Sequence, residues 1–123
     1  MIKYTETYEY IIVDGNVGTV GISGEASDKL GEIYLVELPE IGKSFAKGQE
    51  AAVIESVKSA ADVYCPVGGN VIEINSALET KPELVSNSPL EDGWLFKIEI
   101  ADTSELAELM DREEFKKHLN EES

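Results

Sequence analysis

The chain is poor in the residues from which most active centres are built, with one cysteine, Cys65, and one histidine, His118. A single cysteine excludes an internal disulfide and a cysteine metal cluster, and it makes a reducing compartment the default expectation. One histidine near the end of the chain leaves no Ser-His-Asp or His-Cys set to assemble, and no His-Glu-x-x-His zinc helix is present. Gly21-Ile22-Ser23-Gly24 lacks the spacing of a nucleophile elbow. Gly15, Gly18, Gly21 and Gly24 recur in a pattern that is neither a phosphate loop nor a dinucleotide fingerprint, so they read as turn and close-packing glycines. A paired-acid hydrolase has no support beyond the sheer number of carboxylates. No long apolar run is present, and Met1-Ile2-Lys3-Tyr4-Thr5-Glu6 has neither a secretory core nor an arginine-rich leader. A soluble cytoplasmic protein is expected, and a processed mitochondrial matrix protein would read the same way.

Positive charge is also scarce: 10 Lys and Arg stand against 25 Asp and Glu, a formal −15 over 123 residues. Such a surface repels phosphate backbones and anionic lipids, so neither nucleic acid nor membrane is an expected partner, whereas a basic protein is. The acids are spread along the chain, and the 4 prolines mark no linker. The expectation is one domain over 1–123, with a β core over 1–101 and a helical segment over 102–119.

What is present reads as strands and turns. Trp94, Phe96, Ile98 and Ile100 alternate with Lys97 and Glu99, and Tyr8, Tyr10 and Ile12 alternate with Glu9. Ile33 to Leu38 is more continuously apolar, as a central strand would be, and Val71 to Ile74 follows the turn signal Pro66-Val67-Gly68-Gly69-Asn70. The short strands suggest a compact barrel or sandwich. Ser23 to Leu30, closed by Gly31, predicts a short helix. Asp102 with Glu105, and Asp111 with Glu114, resemble capping boxes. Leu106, Leu109 and Met110 form one apolar stripe, and Phe115 and Leu119 another. Lys116, Lys117 and His118 are expected at a helix C-terminus, where positive charge complements the dipole. Cys65 is expected to be a small buried hydrophobe.

One segment, Ala51 to Tyr64, places two apolar, strand-like halves around Lys58, the single basic residue between Lys47 and Lys81. By composition alone this is a solvated turn lysine. However, Glu55-Ser56-Val57-Lys58 resembles the lipoyl-attachment sequence of the glycine cleavage system H protein family. The resemblance extends through Thr19-Val20-Gly21-Ile22, Leu30-Gly31-Glu32-Ile33, Val36-Glu37-Leu38-Pro39-Glu40-Ile41-Gly42, Pro82-Glu83-Leu84-Val85 and Gly93-Trp94.

The resemblance implies a flattened β barrel-sandwich hybrid with a C-terminal helix, and lipoic acid bound as an amide on Lys58. It also implies a carrier and not a catalyst. The aminomethyl group would pass from a pyridoxal-phosphate glycine decarboxylase to a tetrahydrofolate-dependent aminomethyltransferase, and the reduced arm would then pass to dihydrolipoyl dehydrogenase. Lipoyl- or octanoyl-transferring enzymes would modify Lys58, and the carrier would be a monomer. In the family the loaded arm folds into a cleft, and the matching contacts are Glu9, Asp62 and Thr7. This chain has Tyr8-Glu9-Tyr10 where the family usually shows His-Glu-Trp, Ser86 where it shows Asn, and Leu90 where it shows Tyr. The tyrosines are expected to supply a flat cleft wall. The alternatives are an H-like lipoyl donor or a carrier for another oxidation. A biotin carrier is disfavoured, because Val57 and Ser59 stand where that family places Met.

Overall fold

Alternating and short apolar runs fold into two antiparallel sheets that face each other without closing into a barrel. The computed structural model describes residues 1–122. The strands are β1 (Ile2–Tyr4), β2 (Glu9–Asp14), β3 (Val17–Ile22), β4 (Ile33–Glu37), β5 (Ser44–Phe45), β6 (Glu50–Ser56), β7 (Ala60–Tyr64), β8 (Gly69–Ile74) and β9 (Phe96–Ile100). The larger sheet has the order β1-β2-β3-β9-β8-β5 and the smaller β4-β6-β7. Helices are short: α1 (Gly24–Leu30), α2 (Leu84–Asn87) and α3 (Arg112–Glu122), with 3-10 turns at Ser76–Glu79 and Thr103–Glu108.

The main core lies between the sheets and contains Ile11, Val20, Ile54, Val63, Val67, Val71, Leu95, Phe96 and Ile98, all buried. Cys65 belongs to it, and burial pushes its thiol up to about 12. A second cluster forms on the other face of β1 and β2, where Tyr4, Tyr10 and Phe115 meet. Tyr4 and Phe115 stack with centroids 4.4 Å apart. Burying both faces of β2 explains why its pattern is not a simple alternation: Glu9, Tyr10 and Ile11 are all buried.

Several sequence expectations are met. Ser23 caps α1 by accepting from the Ala26 amide at 3.2 Å, and Gly31 ends the helix at φ 75°. Asp111 and Glu114 form the reciprocal box, each side chain accepting from the other's amide at 2.9 and 3.0 Å. Others are corrected. The Ile33–Leu38 stretch is not a central strand: β4 is an edge, Tyr34 and Leu35 are exposed, and the middle position belongs to β6. Trp94 does not share the Phe96 face. It precedes β9, and its ring takes the Lys97 ammonium at 5.2 Å from the centroid. Asp102 caps a 3-10 turn and not an α-helix. Glu105 does not reach back to it but accepts the Gly68 amide at 2.8 Å. Because α3 runs on to Glu122, Lys116, Lys117 and His118 sit in its middle rather than in its last turn.

Candidate functional site

Lys58 sits at the exposed turn between β6 and β7. The turn is built by its neighbours. The Ser56 hydroxyl donates to the Ser59 carbonyl at 3.0 Å, and its oxygen takes the amides of Lys58 and Ser59 at 3.3 and 3.2 Å. The Val57 amide donates to the Glu32 carbonyl at 3.0 Å, tying the tip to the segment after α1. The Lys58 backbone is therefore fixed, and its four-carbon side chain is the mobile part.

Beyond the tip, a cleft of about 170 Å³ runs beside β7. Ala61, Asp62 and Val63 form one wall, Ala26, Lys29 and Leu30 of α1 another, and Thr7, Tyr8, Glu9 and Ile22 the rest. Asp62 lies four residues past Lys58, at the middle of β7. Two of the three residues that the resemblance implies as arm contacts meet each other directly: Thr7 donates its hydroxyl to Glu9 Oε1 at 2.5 Å. The third, Asp62, lines the same cleft but is exposed, and its carboxylate lies beside that of Glu50. Hydrogen bonding to Asp62, and then repulsion by it, hold the Glu50 carboxyl above its ordinary value.

Glu9 is 1% exposed, which overturns the alternation that placed it on the face opposite a buried set. Its carboxylate also accepts from Thr5 Oγ1, and Oε2 accepts the Tyr64 amide at 3.2 Å. Desolvation raises its pKa even though these hydrogen bonds pull downward. A buried carboxylate with this many donors stays in place in the interior and can still take a further cation at the cleft end.

The local turn aims this group. Tyr8 donates its amide to the Thr5 carbonyl at 3.2 Å and sits at φ 76°, a left-handed conformation at which glycine would be free of strain. The bend that Tyr8 permits brings the Thr5 and Thr7 hydroxyls around Glu9. Tyr8 also forms part of the cleft wall, as the sequence suggested, with Lys29 Nζ 3.2 Å from its hydroxyl and over its ring at 4.5 Å. Phe115 and His118 of α3 meet the Tyr8 ring edge-on, and a ring nitrogen of His118 lies 3.0 Å from the Glu6 carbonyl.

Tyr10 does not line the cleft. It is fully buried, its hydroxyl donates to the Pro89 carbonyl at 2.6 Å, and burial raises its pKa. Its ring fills the space where a Gly21 side chain would stand, which gives that glycine a close-packing role. Leu90 lies on a separate groove with Arg112 and Glu25. Thr5, Lys29 and the Tyr64 amide carry no motif of their own, and a hairpin reading of Thr5 to Glu9 was the available signal for Thr5.

A rigid β scaffold that holds one lysine at a tip, near a cleft that a buried carboxylate lines, is arranged to present a group. The class these features define is a carrier domain. The model of one family, described as glycine cleavage H-protein, matches residues 2–122. The glycine cleavage system H protein of Thermotoga maritima is 45% identical over 122 residues, covering 99% of this chain and 98% of that one. Its counterpart from Alcanivorax borkumensis is 46% identical over 121 residues, covering 98% and 94%. The crystal structure of a glycine cleavage system H protein from Mycobacterium marinum superposes with a TM-score of 0.88 at 28% identity, covering 97% of this chain and 96% of that one. The chain belongs to the glycine cleavage H-protein family.

Proposed function

We propose that Lys58 carries lipoic acid through an amide on Nζ and that the protein is the mobile carrier of the glycine cleavage system. The observation that supports this most is the nearness of tip and cleft. The exposed Lys58 stem lies over Gly31, next to Leu30 of a mainly apolar cleft that Glu9 also lines. The residues present fit such an arm: Ile22, Ala26, Leu30, Ala61 and Val63 offer apolar walls, and the carboxylates offer partners to an ammonium. Bound there, lipoic acid supplies the redox-active dithiolane, and the aminomethyl cargo travels on it.

The chain's own residues do the rest. Ser56 fixes the tip, so tethering raises the local concentration of the group at each partner's active site. Glu9, with Thr7 and Asp62, receives the cargo ammonium, and Tyr8 covers it from water. The partners are the glycine decarboxylase that loads the cargo, the aminomethyltransferase that removes it, the dihydrolipoyl dehydrogenase that resets the arm, and the enzyme that acylates Lys58. The net charge of −15 becomes −16 once Lys58 is an amide, and the acidic surface steers docking onto basic rims of those enzymes.

Intact mass tests the attachment. Protein from a lipoylating host should gain one lipoyl increment, absent in Lys58→Ala, and an unmodified Lys58 with lipoyl supply confirmed refutes the reading. Reconstitution with the decarboxylase and aminomethyltransferase tests the pathway. A protein serving only as a lipoyl donor would take the group and yet support no glycine-dependent carbon dioxide release.

A further inference from the structure

The Lys58 side chain does not project straight into solvent. Its stem lies over Gly31, the residue that closes α1, so that a Cβ on Gly31 would stand 3.5 Å from Cε, 3.8 Å from Cδ and 3.8 Å from Nζ. Gly31 is at φ 75° and ψ −134°, a backbone conformation that L side chains seldom adopt. Three contacts hold it there. Its amide donates to the Ser27 carbonyl at 3.1 Å, its carbonyl accepts from the Ser86 hydroxyl at 3.3 Å, and the next residue, Glu32, accepts the Val57 amide from the tip. Ser86, one of the chain's departures from the family pattern, thus supports the glycine under the lysine.

From this geometry we infer that Gly31 is a positioning residue for the arm: its bare Cα surface is the track that lays Lys58 along the end of α1 and aims Nζ at the cleft mouth. The cleft begins beside this point, since Leu30 lines one wall and Ala61, close behind the tip, lines the other. A side chain larger than a methyl at position 31 would occupy the path of the stem. The arm would then leave the tip away from the cleft, with Glu9 and Thr7 still correctly placed but poorly reached. The inference rests on the proposed attachment at Lys58 only for the lipoylated protein, because the Lys58–Gly31 contact belongs to the unmodified chain.

The experiment has two arms. In unmodified full-length protein, NMR should show nuclear Overhauser contacts between the Gly31 Hα protons and the Lys58 Hδ and Hε protons, and their absence overturns the inference whatever Lys58 carries. In protein shown by mass to be lipoylated and loaded with the aminomethyl cargo, the alkylation rate of the arm's remaining thiol reports how often the arm is out of the cleft. Gly31→Ala and Gly31→Leu share the backbone cost of a side chain at positive φ, but the methyl only touches the stem whereas the leucine displaces it. The leucine variant should therefore react faster than the alanine variant, by about threefold if an arm docked two-thirds of the time is set free. Both should melt at the same temperature. Equal alkylation rates in the two variants, with the Overhauser contacts still present in the leucine variant, would reduce Gly31 to a turn residue and refute the inference.

Discussion

Replacing Glu9 with glutamine preserves the shape of the side chain and removes its charge, which separates its place in the fold from its proposed part in holding cargo. The buried group sits among the hydroxyls of Thr5 and Thr7 and the amide of Tyr64. In Glu9→Gln the amide oxygen can take the Tyr64 N–H, while the amide nitrogen faces two hydroxyls that can turn to accept, so no buried polar atom is orphaned. The variant should fold. Burial raises the Glu9 carboxyl above its ordinary 4.5, so the native state holds this proton more tightly than the unfolded chain does. The stability it contributes is fully present below the unfolded pKa and is lost as pH rises through the folded one. Urea unfolding at a series of pH values should show that loss in the natural protein and a flatter profile in the variant, which at pH 7 should be no less stable. Cargo retention moves the opposite way. Exchanging a charge-assisted hydrogen bond for a neutral one costs about 1.4 kcal/mol, or roughly tenfold in the time the loaded ammonium spends out of the cleft. Formaldehyde and ammonia released from aminomethyl-loaded protein should therefore appear about tenfold faster in Glu9→Gln. An unchanged release rate with an unchanged fold would refute the assignment of Glu9 to the cargo.

Other outcomes follow from the same contacts. Phe115→Ala removes a fully buried ring stacked on Tyr4 and should cost about 3–5 kcal/mol by denaturant titration. Tyr10→Phe leaves the Pro89 carbonyl without its donor and should cost about 1–2 kcal/mol in the same assay, with little effect on cargo retention, since Tyr10 lies outside the cleft. Cys65, buried and with its thiol pushed up to about 12, should resist a disulfide reagent at pH 8 until the protein is unfolded, and prompt labelling of the native protein would contradict its burial. Turnover limited by partner encounter should fall as salt rises, and a flat response would reduce the −15 charge to a solubility feature.

The sequence was legible where one physical rule acted alone. The α1 boundaries follow from a serine cap and a glycine stop, and the Asp111 box from two side chains three residues apart. Lys58 was visible through its isolation among apolar neighbours, although its chemistry came from resemblance and not from spacing. The misreadings occur where tertiary contacts decide. β2 buries both faces because α3 covers one of them, so Glu9 and Tyr10 could not be sorted by a period of two. Trp94 left the strand pattern for a lysine, and Glu105 left its cap for the Gly68 amide. The Lys29–Tyr8 pair joins residues far apart in the chain, and no local pattern announces it.

The smaller sheet has a cost that its position beside the cleft makes unavoidable. β7 is an edge strand, and its outer side is the side along which the cleft runs. Natural proteins commonly blunt such edges by covering them with a helix or a loop, because an open edge invites pairing with another chain. Covering this one would close the channel beside Lys58. Glu9 takes the Tyr64 amide at the far end of β7, Asp62 and Glu50 place two carboxylates on adjacent strands, and the opposite edge, β4, is bounded by Glu32 and Glu37. Mutual repulsion between strongly acidic copies then replaces the missing cover, keeping the molecules from zipping together while their edges stay open. Neutralising Glu32, Glu37, Glu50 and Asp62 together should therefore produce aggregation from a natively folded state, at protein concentrations the parent chain tolerates.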